Sequence, residues 1–262
     1  MQLEHIVRQP EGTPQPTPLL FMHGAWHGAW CWDEFFLPYF ASKGYSAHAL
    51  SLRGHGKSGG STWLARIPDY VADLTLVART LPTPPVLIGH SMGGYITQKF
   101  LETNSAPAAV LLASIPVMGA RRFIFKSMLQ HPIDALRALP GLNAGTFVDT
   151  PAKARRDFFS VSMPEEQVQR YSAQIGAESA LIISDIIGLT MALPKVERIT
   201  TPMLVLAAQN DAVFTVDEEQ ATARAYKAEF QVFPGMAHDM MLEAGWQAVA
   251  DRILGWLQAR GL

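Results

Sequence analysis

Short apolar runs recur along the chain, and segments with helical spacing separate them. The runs are continuous rather than alternating, which is typical of strands buried on both faces of a parallel sheet. They occupy residues 19–22, 45–52, 85–88, 108–113 and 202–207, with further strand-like stretches at 2–8 and 229–233. Helical spacing of apolar residues is found at 32–42, 68–81, 216–227 and 245–260. Pro38 predicts a kink or a break in the first of these helices.

The alternation of strands and helices stops once, between residues 116 and 194. No strand-like run occurs there, and the helix-compatible pieces are 121–131, 133–138, 151–160, 164–175 and 178–187. The pattern predicts an α/β fold with a mostly parallel, doubly wound sheet. We expect residues 1–115 and 195–262 to form the core, and residues 116–194 to form a helical cap inserted after the strand that follows Ser91.

Composition narrows the class of partner. Charged residues make up 17% of the chain and the formal net charge is −2, so we expect no nucleic-acid partner and no anionic membrane surface. Cys31 is the single cysteine, which excludes an intramolecular disulfide. The N-terminal residues do not resemble a signal peptide, and no apolar run approaches the length of a membrane span. We therefore expect a cytoplasmic protein without cofactor or metal, whose oligomeric state the sequence leaves open.

The stretch Gly89-His90-Ser91-Met92-Gly93 follows a buried strand and opens a helix. This Gly-x-Ser-x-Gly pattern has a mechanical reason, because a serine is presented on a strained strand-to-helix turn only when its flanking positions lack side chains. Gly94 adds room for the helix to pack. The pattern predicts that Ser91 is a nucleophile, provided that the rest of the chain supplies a base and an acid.

A serine nucleophile needs a histidine base, and the base needs a carboxylate that fixes its tautomer. Of eight histidines, only His238 follows a late strand in a loop. Asp211 lies just past the strand at 202–207, so the order along the chain is serine, aspartate, histidine, as expected for a serine on such a turn. Asp217 is a reserve acid that more readily caps the next helix.

An oxyanion intermediate needs two N–H donors. We expect one from the backbone of Met92 and the other from Ala25, with Trp26 as a second choice. The His23 side chain is expected to hold this loop by hydrogen bonds, whereas His27 is expected to be a solvated loop residue. His90 is expected to pack behind the serine, and Cys31 to be a small buried side chain.

These motifs together resemble those of α/β-hydrolase fold proteins. The sequence carries His23-Gly24, the loop Arg53-Gly54-His55-Gly56-Lys57-Ser58, the Gly-His-Ser-Met-Gly-Gly turn, Asp211 and His238 in one order. It is most similar to capped serine esterases of the monoacylglycerol lipase and lysophospholipase type. The resemblance implies the α/β-hydrolase fold and the Ser91–Asp211–His238 triad. It departs at Ser51, where the family usually has an aspartate.

The predicted cap is rich in phenylalanine and methionine, which suit an adaptable apolar pocket. This favours a small to medium apolar acyl or aryl ester as the substrate. The residues expected to line the pocket are Trp26, Phe123, Phe125, Met128, Phe158, Phe159 and Met191.

Four other functions remain open from the sequence. The same triad could hydrolyse a carbon–carbon bond, or serve a cofactor-free lyase or perhydrolase. A hydrolase-like receptor for a small apolar ligand is the non-enzymatic alternative, although all three triad members are present. A haloalkane dehalogenase or an epoxide hydrolase is disfavoured, since relatives of those types carry aspartate in place of Ser91.

Overall fold

The computed structural model describes residues 1–138 and 144–262, and a seven-stranded sheet forms its centre. The strands are β1 (His5–Arg8), β2 (Leu19–Met22), β3 (Ala47–Leu50), β4 (Val86–His90), β5 (Ala109–Leu112), β6 (Met203–Ala208) and β7 (Glu229–Phe233). Their order across the sheet is β1-β3-β2-β4-β5-β6-β7. Only β1 pairs antiparallel, with β3, and every other pairing is parallel. The predicted α/β fold with a mostly parallel sheet is confirmed.

Burial explains this strand order. Every residue of β2, β3, β4, β5 and β6 is buried, whereas the edge strands β1 and β7 are mostly half-buried. Strands covered on both faces must be apolar throughout, so the continuous runs occupy the middle of the sheet. The carboxyl ends of these parallel strands meet at one edge, where ligands bind in open α/β sheets.

Eleven α-helices are present in the described parts of the chain. They are α1 (Trp30–Asp33), α2 (Phe36–Ser42), α3 (Ile67–Ala78), α4 (Met92–Leu101), α5 (Arg121–Gln130), α6 (Pro132–Ala138), α7 (Pro151–Phe158), α8 (Glu165–Ser172), α9 (Leu181–Ile186), α10 (Val216–Tyr226) and α11 (Trp246–Gln258). The predicted break near Pro38 is present, but it falls before α2. Pro38 lies in the first turn of that helix, where its missing N–H costs little.

Helices α5–α9 lie between β5 and β6 and belong to residues 116–194, here called the helical segment. Two buried carboxylates of this segment bind the rest of the chain. Asp185 pairs with Arg66 and accepts the Ile67 N–H at 3.1 Å. Glu178 Oε1 accepts a hydrogen bond from the Tyr70 hydroxyl at 2.6 Å, and Glu178 Oε2 lies 3.0 Å from His55 Nε2. The helical segment is therefore anchored through specific buried polar contacts as well as apolar packing.

The departure from the family pattern at Ser51 has a structural answer. The Ser51 hydroxyl donates to Glu4 Oε2 at 2.6 Å and accepts the Ala29 N–H at 2.8 Å. The Glu4 carboxylate also accepts the Lys57 N–H at 2.9 Å. Glu4, just before β1, thus supplies the negative charge that an aspartate would bring to this loop.

Within residues 1–138 and 144–262, no helix combines the length and the apolarity that crossing a membrane requires.

Candidate active site

Ser91 lies at the turn between β4 and α4 with a strained backbone, φ 52° and ψ −118°. The nearby glycines at positions 89, 93 and 94 allow this turn because they have no side chains. A Cβ on Gly89 would lie 2.5 Å from Gly93 O, and a Cβ on Gly93 would lie 2.3 Å from Met22 O. A Cβ on Gly94 would lie 2.3 Å from Ser114 Oγ. The strain at this position is of the kind found at functional turns.

His238 lies between Ser91 and Asp211. Its Nε2 atom is 3.0 Å from Ser91 Oγ, and its Nδ1 atom is 2.8 Å from Asp211 Oδ2. The loop after β6 fixes the other carboxylate oxygen, because Asp211 Oδ1 accepts the N–H groups of Val213 at 2.7 Å and Phe214 at 3.0 Å. The three residues selected from the sequence are thus joined in one hydrogen-bonded path.

The electrostatics of His238 favour a proton on its ring. Burial alone lowers the pKa of this histidine, but the charge and hydrogen bond of Asp211 outweigh it, and the pKa is raised above 6.5. An imidazolium that forms during a reaction is therefore stabilised here. The expectation that Asp217, the reserve acid, caps the next helix is wrong, because Thr215 is the N-cap of α10 and Asp217 lies in its first turn.

Two backbone donors border the same pocket. Met92 is the first residue of α4, and the N–H groups of a first helical turn have no partner within the helix. Ala25 follows β2, and both residues line the pocket together with Ser91 and His238. Gly24 permits this approach, since a Cβ there would lie 2.9 Å from His90 Nδ1 and 3.0 Å from Ser91 Cβ.

Histidines hold the loop that carries Ala25. His23 accepts the Leu52 N–H through Nε2 at 3.0 Å, so its Nδ1 carries the proton and donates to Gly24 O at 2.7 Å. The expectation of a solvated His27 is wrong, because its side chain is buried and both ring nitrogens have partners. A sequence alone does not reveal this burial, since the partner carboxylate lies 212 residues away.

The pocket above Ser91 is mainly apolar and combines residues of the core with residues of the helical segment. Four residues proposed from the sequence line it, namely Trp26, Phe123, Met128 and Phe158. Its other apolar lining residues include Ile115, Ile124, Phe147, Ile182, Ile183, Ile186, Val213 and Phe214. The isoleucines of α9 were not predicted, although their i, i+1, i+4 spacing marks one helical face.

Three other residues expected in the pocket lie elsewhere. Phe125 is 68% exposed, because two residues along α5 turn its side chain about 200° away from that of Phe123. Phe159 is buried beside Tyr171, since the extended backbone after α7 sends it away from Phe158. Met191 packs against the core and is not among the residues that line the pocket.

A second group of titratable side chains lies behind His238. His27 Nε2 is 2.9 Å from Asp239 Oδ2, and His90 Nε2 is 3.7 Å from Asp239 Oδ1. Burial and the neighbouring His238 lower the pKa of His90 to about 3, so this ring is neutral. Potential ligand atoms of His90, His238 and Asp239 lie within 4.8 Å of one another. A metal ion would nevertheless compete with Ser91 and Asp211, which already contact both nitrogens of His238.

The sheet, the strained serine turn and the serine–histidine–aspartate path define an α/β-hydrolase. A model of the Alpha/beta hydrolase family matches residues 19–252, and the chain belongs to this family.

Individual relatives of the chain are named for different activities. A monoacylglycerol lipase of Mycolicibacterium smegmatis is 28% identical over 232 residues, which cover 83% of this chain and 80% of the relative. A non-heme chloroperoxidase of Burkholderia pyrrocinia is 27% identical over 267 residues, covering 95% and 94%. The crystal structure of the Paleococcus ferrophilus monoacylglycerol lipase shares the fold with a TM-score of 0.76 at 20% identity, covering 99% of this chain and 100% of that chain. The chain is therefore an enzyme of the α/β-hydrolase class, similar to proteins named for two different reactions.

Proposed function

We propose that the protein is a serine hydrolase that cleaves carboxylic esters of small to medium apolar acyl or aryl groups. The observation that carries the proposal is the hydrogen-bonded path from Ser91 Oγ through His238 to Asp211, which ends at the floor of an apolar pocket. A serine in this path has a base within reach, and the base has a carboxylate that orients it.

In the proposed reaction, Ser91 Oγ attacks the ester carbonyl carbon while its proton passes to His238 Nε2. The carbonyl oxygen becomes an oxyanion that the N–H groups of Met92 and Ala25 stabilise. The bond between carbon and the leaving oxygen then breaks, and His238 returns the proton to that oxygen. Water, deprotonated by His238, attacks the acyl-enzyme, and the carboxylic acid leaves with Ser91 restored.

The helical segment is proposed to be the cap that selects the acyl or aryl group. Phe123, Phe158 and Ile186 come from this segment and border the pocket that contains Ser91. An apolar lining of this kind gains free energy from excluding water from a hydrocarbon chain. The polar groups at the floor then fix the position of the ester bond.

Perhydrolysis is a second candidate function, favoured by a relative from Acinetobacter calcoaceticus that is named a bifunctional esterase/perhydrolase and is 25% identical over 248 residues. In that reaction hydrogen peroxide, in place of water, attacks the acyl group on Ser91 and leaves as a peroxycarboxylic acid. The same residues are used, so the two reactions differ only in the second nucleophile. Cleavage of a carbon–carbon bond, a lyase reaction and a receptor function stay as alternatives with no such observation behind them.

The test is a chain-length series of p-nitrophenyl esters, measured with wild type, Ser91→Ala and the control Ser105→Ala in an exposed loop. We expect turnover by wild type and by Ser105→Ala, with an optimum at short or medium acyl length, and none by Ser91→Ala. Ester turnover that survives Ser91→Ala would contradict the proposal. Parallel assays with hydrogen peroxide, a vinylogous diketone and a cyanohydrin separate the alternatives.

A further inference from the structure

Both ring nitrogens of His27 have a hydrogen-bond partner. Its Nδ1 atom lies 2.8 Å from the Ala25 carbonyl oxygen, which can only accept, so Nδ1 must carry a proton. Its Nε2 atom lies 2.9 Å from Asp239 Oδ2. If Asp239 is ionised, both ring nitrogens donate and His27 is an imidazolium cation.

The surroundings of Asp239 favour the ionised carboxylate. Burial raises the pKa of Asp239, but His27, His90 and His238 together lower it below its ordinary value. Burial likewise lowers the pKa of His27, and Asp239 reverses that effect, so the pKa of His27 is raised. Both side chains are almost completely inaccessible to solvent. The pair is thus a buried ion pair, and removing either charge would leave the other uncompensated.

The titratable groups around this pair come from several elements. His23, His55, His90 and His238 face His27, and the last two also face Asp239. Cys31 and Glu243 complete the surroundings of Asp239. The pKa of His23 is lowered well below 6.5 by burial and by His55, so it is neutral. His27 therefore supplies the positive charge next to Asp239.

The backbone contacts of the pair show what it holds in place. His27 binds the carbonyl of Ala25, while His23 binds the carbonyl of Gly24, so Ala25 is fixed on both sides. The peptides are trans, and an N–H points opposite to the carbonyl of its own peptide, so these bonds also orient the Ala25 and Trp26 N–H groups. Trp26 has φ 66°, a conformation that costs free energy without such support.

Asp239 connects this loop to two other parts of the site. It is the residue after His238, and its own N–H donates to the Phe158 carbonyl at 3.0 Å. The Phe158 ring packs 5.9 Å from the His238 ring and 5.3 Å from the His27 ring. One ion pair therefore joins the loop of the proposed oxyanion donor, the loop of the proposed base and the helical segment.

We infer that His27 and Asp239 are positioning residues that hold the Ala25 loop ready to bind the oxyanion. The inference rests on the proposed function, because it concerns the oxyanion of that reaction. An oxyanion donor acts in the transition state more than in the ground state, so its loss lowers kcat more than it raises KM.

The experiment compares wild type with Asp239→Asn, His27→Gln and a matched buried control, His48→Gln, which lies away from the pocket. Turnover of a p-nitrophenyl ester gives kcat and KM, and a trifluoromethyl ketone gives the affinity for a tetrahedral oxyanion adduct on Ser91. We expect both site variants to lose about 10- to 100-fold in kcat and to lose ketone affinity in proportion, with KM changed less than about 3-fold. The control should match wild type in all three quantities.

Nuclear magnetic resonance of the histidine rings reports the charge without any substrate. At pH 6.5 wild type should show a doubly protonated ring whose signals disappear in His27→Gln, and Asp239→Asn should reduce that ring to one proton. A singly protonated His27 in wild type would overturn the inference, even if the site variants fail to fold. Wild-type kcat in both folded variants, or a loss confined to KM, would also overturn it. Wild type that neither turns over esters nor reacts with a fluorophosphonate would instead overturn the proposed function.

Discussion

Two buried histidine–aspartate pairs lie close together in this protein, and they are built for different tasks. His238 has Asp211 on one ring nitrogen and the Ser91 hydroxyl on the other. His27 has Asp239 on one nitrogen and the Ala25 carbonyl on the other. The neutral His90 ring lies between them, with ring centroids 4.7 Å from His238 and 6.3 Å from His27.

The difference lies in the partner of the second nitrogen. A hydroxyl can give up its proton, so His238 can cycle between neutral and charged forms. A carbonyl oxygen has no proton to exchange, so His27 keeps the Nδ1 proton that binds Ala25, while Asp239 overcomes the effect of burial and raises the pKa of the ring. Burial and an aspartate therefore do not by themselves mark a base, and the second partner decides between proton transfer and positioning.

The largest expected effect separates the two aspartates. Asp211→Asn should lower kcat by about 10,000-fold, because the amide no longer fixes the tautomer and charge of His238. Asp239→Asn should cost about 100-fold at most, since it disturbs only the donor loop. Steady-state kinetics on one p-nitrophenyl ester measure kcat for both variants. Equal losses of kcat would contradict the proposal that the two aspartates have different roles.

The pH profile gives the same comparison a second readout. His238 must be neutral to act as a base, so kcat/KM should fall as the pH drops through its raised pKa, at a midpoint above 6.5. Asp211→Asn removes the largest raising cause and leaves burial, so the midpoint of its residual activity should move below 6.5. In Asp239→Asn the lost charges of Asp239 and His27 have opposite effects on His238, so the midpoint should move little. A larger displacement in Asp239→Asn than in Asp211→Asn would contradict this assignment.

Phe158 tests the surface that both pairs share, with an intermediate expected effect. Phe158→Leu should raise KM for an aryl ester about 10-fold, because the ring packs on both histidines and lines the pocket. Phe125→Ala is the control on the exposed side of α5, where a substitution should change the free energy of unfolding by less than about 0.5 kcal/mol. Kinetics and thermal unfolding of both variants measure these effects. An equally large rise of KM in Phe125→Ala would contradict the proposed position of the pocket.

The smallest effect concerns Glu219, a buried carboxyl that faces Asp211 from α10. Burial, and then Asp211, raise its pKa well above 4.5, so it stays protonated in the folded protein while it ionises in the unfolded chain. The unfolded state therefore binds fewer protons, and folding loses stability as the pH rises above 4.5. Glu219→Gln should remove this loss, which amounts to about 1.4 kcal/mol for each pH unit between the two pKa values. Urea unfolding at pH 4.5 and pH 8 measures it, and a variant with no gain at pH 8 would contradict the protonated state.

Patterns in neighbouring residues are enough to predict the sheet and the serine turn. Continuous apolar runs predicted the parallel strands, and the missing side chains of Gly89 and Gly93 marked the turn. Which side of α5 faces the pocket, and whether His27 is buried, depend on contacts between distant segments, which no local pattern contains. No sequence pattern singles out Asp239, because it follows His238 directly and its partner His27 is 212 residues away. The expected cytoplasmic location and the absence of a cofactor stay predictions.

The most direct test of the central claim is to trap the acyl-enzyme. Wild type is mixed with an excess of a p-nitrophenyl ester and quenched in acid within the first turnovers. The protein and its peptides are then analysed by mass spectrometry, with Ser91→Ala treated in parallel. We predict that wild type gains the mass of one acyl group on the peptide that contains Ser91, and that Ser91→Ala gains none. An acyl group on another residue, or ester turnover by wild type without any covalent adduct on Ser91, would contradict the account.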